Sequence, residues 1–265
     1  MNRNSQLNPS NRWTKSAVFL LIPTIIITIL AAVNHHPIMA GSDPLTYLPY
    51  VTGDGPGTGG SDIIPFGPTF NGDGTYYYGD GSGACLFPPL PNNLLYAAMN
   101  YPQFGNSDYC GAYINITGPQ GSVIVRIVDM CPECQYGDID MSPQAFAQIA
   151  EIPQGRVPIS WQQVSYPLDG PIVYHFKDGS NQWWTAVQIR NHRNPIAKFE
   201  YKNSNGNWIN VPRTTYNYFV ESSGMGPGPY TFRVTDVFGH TLVDSGIPHV
   251  ENGDVPGSSQ FPPPP

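Results

Sequence analysis

From about residue 69 onwards, apolar positions fall in short runs broken by Gly, Pro, Asn and Asp, the pattern of β-strands joined by turns. In a first region, Gly74–Tyr78, Tyr113–Thr117 and Val123–Asp129 are predicted strands. The turn Gly118-Pro119-Gln120-Gly121 joins the last two as a β-hairpin. One short helix is predicted, with Ser142 as cap, Pro143 in the first turn, and Phe146, Ile149 and Ala150 as its apolar stripe. After the junction Pro167-Leu168-Asp169-Gly170-Pro171 the pattern is all-β. Its strands are Ile172–Phe176, Trp183–Asn191, Ala197–Lys202, Trp208–Val211, Tyr216–Glu221 and Tyr230–Thr235, spaced as in a sandwich. Residues 251–265 end in Phe261 and four prolines and read as a disordered tail.

The N-terminus follows a different grammar. Arg3, Arg12 and Lys15 precede an apolar run from Ala17 to Val33, and Ile38-Met39-Ala40 ends in a small residue. Residues 1–40 are therefore expected to be a signal peptide, or a signal anchor if uncleaved. Either way the remainder lies outside the cytoplasm. Residues 41–68, rich in Gly, Pro, Asp and Thr, read as a flexible linker. The regions 69–166 and 170–250 are then two folded domains.

Composition narrows the ligand. Charged residues are only 12% of the chain, whereas aromatics are also 12%, with 16 Tyr and 5 Trp. Beyond residue 40 there are 9 basic and 19 acidic residues, a net charge of −10. Such a chain repels nucleic acid, anionic lipid and anionic pectin and leaves a neutral polysaccharide open as partner, while the same composition equally suits a β-rich protein with Tyr on its strands. No membrane contact is expected beyond the N-terminal segment, and the protein is expected to be monomeric.

The four cysteines, Cys85, Cys110, Cys131 and Cys134, are expected to form disulfides in an oxidising compartment. A hairpin turning about the Gln120–Gly121 bond sets Cys110 opposite Cys131, leaving Cys85 for Cys134. Cys131-Pro132-Glu133-Cys134 has metal-site or redox spacing, but it stands without a second pair or a nearby His, so no metal is expected.

Carboxylates are densest in Val128-Asp129-Met130-Cys131-Pro132-Glu133-Cys134 and in Gly137-Asp138-Ile139-Asp140-Met141-Ser142-Pro143. Asp138 and Asp140 share a strand face, while Ile139 and Met141 point inward. Asp129 shares parity with Val125 and Ile127. These acids either serve chemistry on a glycosidic bond or satisfy turn amides, and the pattern leaves both readings open. Trp183 shares parity with Val187 and Ile189, a pattern that buries it. His192 reads as structural, since no Ser or Cys is placed to partner it.

Those motifs, with Gly74-Thr75-Tyr76-Tyr77 and Cys110-Gly111-Ala112-Tyr113, resemble the barrel of expansins. Gly179-Ser180-Asn181-Gln182-Trp183-Trp184 and Val187-Gln188-Ile189-Arg190-Asn191-His192 resemble the carbohydrate-binding domain of microbial expansins. The resemblance covers about residues 69–250. It implies a mainly β chain, a six-stranded double-psi β-barrel followed by an immunoglobulin-like β-sandwich. It implies that Asp140 is the essential acid, with Thr75 and Asp129 beside it in the groove. It places Lys177, Trp183, Trp184 and Tyr216 on the binding face, with Trp183 and Trp184 in a bulge or loop rather than a regular strand. Where some relatives have a Tyr two residues after the first Asp, this chain has Cys131. The implied function is loosening of cellulose-type walls without hydrolysis, on cellulose, related neutral β-glucans or hemicellulose, with no cofactor. Endoglucanases sharing this barrel place a base four residues past the Thr, which is Gly79 here. Endoglucanase or lytic transglycosylase activity, or a purely adhesive wall role, are the alternatives.

Overall fold

The computed structural model describes residues 62–265; the N-terminal segment and most of the expected linker lie outside them. Six strands close a barrel: β1 Ile64–Tyr76, β2 Tyr96–Asn100, β3 Tyr113–Gly118, β4 Gly121–Cys131, β5 Ile139–Met141 and β6 Val157–Ser165. Their order around the barrel is β1-β5-β2-β4-β3-β6, with β1–β5 and β2–β4 parallel and the other contacts antiparallel. The interior is apolar, with Met99, Ile114, Ile116, Val125, Ile127, Ile139, Met141 and Trp161 all essentially inaccessible. Each such side chain contributes about 1.5–3 kcal/mol. The helix α1 Tyr101–Phe104 follows β2, and α2 Pro143–Phe146 follows β5. The Ala145 amide donates to the Ser142 hydroxyl, capping α2.

The second domain has two four-stranded sheets. One has the order β10-β9-β12-β13, from Trp208–Val211, Ile196–Lys202, Tyr230–Asp236 and Thr241–Ile247. The other has the order β11-β8-β7-β14, from Phe219–Glu221, Thr185–Arg190, Val173–Phe176 and Asp254–Pro256. Tyr174, Phe176, Phe199 and Phe232 fill the space between them. The sandwich is bound to the barrel by buried hydrogen bonds. Gln188 Nε2 and Asn217 Nδ2 both donate to the Cys85 carbonyl, at 2.9 and 3.1 Å. Ser107 Oγ donates to the Thr214 carbonyl at 2.8 Å, and Arg193 Nε donates to Ser165 Oγ at 2.8 Å.

Three expectations are corrected. The linker does not extend to residue 68, because β1 begins at Ile64 and pairs with β6 from its first residue. Residues 251–265 are not disordered. Asp254–Pro256 pair with β7, and Phe261 is buried in the sandwich core. One aromatic anchor and a short edge strand order this tail despite its prolines, since edge strands tolerate proline. Phe261→Ala should therefore destabilise the protein by about 3–5 kcal/mol, measured by denaturant unfolding. A change within error would mean that the tail is not part of the core.

The disulfides are Cys85–Cys110 and Cys131–Cys134, not Cys110–Cys131 and Cys85–Cys134. The hairpin turns on Pro119-Gln120, so Gly118 faces Gly121 and the register differs from the expected one. Beyond the Tyr113–Arg126 pair, β4 leaves β3 for β2, so Cys110 never reaches Cys131. Cys131 instead closes onto Cys134 across the tight Pro132-Glu133 turn.

Candidate functional site

Backbone register sets a row of residues across four adjacent barrel strands. Thr75 on β1 pairs with Asp140 on β5, Asp140 with Ala98 on β2, and Ala98 with Asp129 on β4. Asp140 follows from its parity: Ile139 and Met141 are fully buried, which turns Asp140 outward. Asp129 does not follow from its own. A bulge in β4, where Ala97 pairs with Ile127 but Ala98 with Asp129, leaves Val128 as the extra residue. Val128 is buried beside Ile127, and Asp129 emerges on the opposite face from the one its parity with Val125 predicts.

Thr75 Oγ1 donates to Asp140 Oδ1 at 2.6 Å. The Asp140 pKa is raised, chiefly by burial and further by the charges of Glu133 and Asp129; the Thr75 hydrogen bond and Arg156 oppose this. Asp140 is thus a carboxyl with raised proton affinity. Asp129 is held differently. Its Oδ1 accepts the amides of Ala84 (2.6 Å) and Met130 (2.8 Å). The covering loop comes so close that a Cβ at Gly83 would lie 2.3 Å from Asp129 Cγ, so only glycine fits there. Asp138 spends both oxygens on backbone, accepting from Asp73 N (2.8 Å) and Gln135 N (3.0 Å). Asp80 accepts from the amide and hydroxyl of Ser82 inside its own exposed turn.

Tyr77 entered the sequence reading only as part of Gly74-Thr75-Tyr76-Tyr77, with no role of its own. Its hydroxyl is buried and has no hydrogen-bond partner. Its pKa is raised, first by burial and then by the negative charge of Asp129 and, more weakly, Asp140. Tyr77 is thus a buried, neutral phenol beneath the carboxylates, enclosed by the barrel rather than open to the groove. Three further tyrosines are exposed on the barrel: Tyr78 just past the end of β1, and Tyr101 and Tyr136 at the opposite end of the β2–β5 pair.

On the sandwich, Trp183 is 70% exposed, not buried as its parity suggests. The reason is local. Asn181 bridges Trp184, and Asn181 Oδ1 accepts the amides of Trp183 (2.9 Å) and Trp184 (3.2 Å). Trp183 therefore sits in a tight turn, and β8 begins only at Thr185, so strand parity does not reach back to it. Trp184 is half-buried. Tyr216 lies in a second turn, closed by Thr214 N donating to Tyr218 O at 2.8 Å. Because β11 runs antiparallel to β8 with Phe219 opposite Val187, Tyr216 lies towards the far end of β8 from the tryptophans. Six residues of strand separate the two ends, roughly 20 Å. Between them Lys177, whose amide donates to Ala186 O, has no carboxylate in ion-pair reach among the described residues.

Both Cys131 and Cys134 are consumed in a disulfide, so the Cys-Pro-Glu-Cys segment offers no thiolates to a metal.

Residues 95–161 match a family model described as a lytic transglycolase (DPBB_1), the double-psi β-barrel. Expansin-YoaJ of Bacillus subtilis is 37% identical over 198 residues, 70% of this chain and 84% of that protein. The crystal structure of the apo Clavibacter michiganensis expansin is similar at a TM-score of 0.70 and 32% identity, over 74% of this chain and 99% of that one. A mutant of that expansin in complex with cellohexaose is similar at a TM-score of 0.70 and 31% identity, over the same shares. With relatives at this identity matched over most of their length, the chain belongs to the expansins and is an expansin-like cell wall protein.

Proposed function

We propose that this protein acts outside the cell, binds cellulose-type neutral β-glucans on its sandwich and loosens walls through its barrel groove without hydrolysis. The observation that carries the reading is a division of labour. An exposed aromatic strip lies on one domain, and a lone acid–hydroxyl pair, Thr75–Asp140, lies on the other. Sugar rings stack on Trp183, Trp184 and Tyr216, with Lys177 donating to ring hydroxyls. The cellohexaose complex of the related expansin supports a glucan as the ligand. In the groove, Asp140 exchanges hydrogen bonds with the hydroxyls of a neighbouring strand, offsetting lost glucan–glucan contacts. Hydrolysis needs a second carboxylate free to activate water. Asp80 is folded onto its own turn, and Asp129 spends an oxygen on two amides.

A second reading is cleavage of a glycosidic bond with Asp140 as acid. Its raised pKa favours that reading, as does the family model over the barrel. Asp129 also stands two strands away, about 10 Å between backbones. The deciding experiment measures extension of isolated wall strips and weakening of cellulose paper, with soluble sugar assayed in the same samples. Loosening without sugar release is expected. Release that rises in step with loosening would establish the second reading.

A further inference from the structure

A cavity of about 250 Å³ lies at the junction of barrel and sandwich, away from the Thr75–Asp140 row. Its wall includes Phe87, Tyr113 and Arg126 from the barrel and Arg190, His192 and Asp254 from the sandwich. Arg126 projects from the middle of β4, opposite Tyr113. Its guanidinium lies over the Phe87 ring, 3.9 Å from the centroid. Among the described residues no carboxylate and no hydrogen-bond acceptor reaches it. Burial lowers its pKa; Tyr113 opposes this, and the nearby charge of Arg190 adds a smaller lowering.

The other charges in the wall cancel. Arg190 Nη1 pairs with Asp254 Oδ1 at 3.0 Å, and Arg190 Nε donates to Gln188 Oε1 at 2.5 Å. Asp254 also meets His175 Nδ1 at 2.6 Å. His192 is fully enclosed, with its pKa lowered to about 3 by burial, so it is neutral. Its ring packs against Gly111, where φ is +79° and a Cβ would lie 2.6 Å from Nε2. Two guanidiniums and one carboxylate leave one positive charge facing the cavity. Buried charges are normally paired, and the pair is missing from the protein itself.

We propose that this cavity binds a small carboxylate-bearing ligand, one sugar ring in size, with its carboxylate on the Arg126 fork. A guanidinium matches a planar carboxylate with two parallel hydrogen bonds. Burial keeps the Tyr113 phenol protonated, so it can donate to the same ligand. The volume lies below the roughly 300–1,000 Å³ of drug-sized sites, which fits one ring and excludes an oligosaccharide. In a wall protein the available ligand of this class is a hexuronate. The site is independent of the sandwich aromatics.

Calorimetric titration of the protein with D-galacturonate and D-glucuronate should give saturable binding and raise the melting temperature. D-galactose, lacking the carboxylate, should do neither. Arg126→Met keeps the apolar stem and removes the unpaired charge. It should melt no lower than wild type without ligand and bind uronate at least about tenfold more weakly, as expected for a lost charge-assisted hydrogen bond. If that variant does not fold, Arg126→Lys, which keeps the charge but loses the fork, should fold and bind more weakly. The site is refuted by absence of saturable binding of either uronate, by equal binding of galactose, or by full affinity in the folded variant.

Discussion

Replacing Trp183, Trp184 and Tyr216 together with Ala is expected to abolish retention of the protein on insoluble cellulose. Each ring contributes about 1 kcal/mol by stacking. Three lost contacts therefore remove about 3 kcal/mol, on the order of a hundredfold in affinity. The fold should survive. Trp183 is 70% exposed in a turn, and neither Trp184 nor Tyr216 belongs to the buried cluster between the sheets. Depletion isotherms on microcrystalline cellulose, with far-ultraviolet circular dichroism on the same preparations, test this. An unchanged isotherm from a folded variant would show that the glucan binds elsewhere.

Asp140→Asn is expected to eliminate wall loosening while leaving cellulose retention intact. The amide oxygen can still accept the Thr75 hydroxyl, which now donates at 2.6 Å, so the row keeps its geometry. Only the charge and the titratable proton are lost. Stability follows from the direction of the pKa shift. Burial raises the Asp140 pKa, so the folded state holds this proton more tightly than the unfolded chain. The contribution of the group to stability therefore falls as pH rises from the ordinary carboxylate range through the raised value. The variant lacks that loss. Relative to wild type it should melt no lower at neutral pH, and any advantage should shrink as pH is lowered. Loss of activity together with such a melt assigns the defect to the groove rather than to unfolding. Under the cleavage reading, wild type releases sugar and the variant does not. Under an adhesive reading, neither protein loosens walls.

Strands β3, β4 and β7 to β12 were legible because alternation and turn residues are local signals, whereas β2, β6, β13 and β14 were not foreseen. Asp140 was legible for the same reason, since Ile139 and Met141 bracket it on a regular strand. Asp129 was not, because a single extra residue at Val128 reverses parity, and nothing in Val-Ile-Val-Arg-Ile-Val announces a bulge. Trp183 shows the converse. Counting back from Val187 assumed that the strand continued, whereas Asn181 had already turned the chain. Its exposure was anticipated only through likeness to a family. The cystine pairing failed because it required β3 and β4 to stay together past Tyr113, and the barrel gives that length of β4 to β2 instead. The ordered tail depends on one distant cavity for Phe261, which no local pattern encodes. The Arg126 cavity is equally non-local, since its wall comes from segments separated by more than a hundred residues.

The Cys85 carbonyl takes hydrogen bonds from Gln188 and Asn217 of the sandwich, and the Cys85 side chain is bonded to Cys110. Ser107, three residues before Cys110, grips Thr214 of the sandwich. Mechanically, this makes the junction a riveted joint rather than a hinge. Tension on the sandwich would therefore enter the barrel through a covalently closed loop as well as through the short peptide joining the domains. The same loop carries Ala84, whose amide holds Asp129, so the joint and the groove share one stretch of backbone.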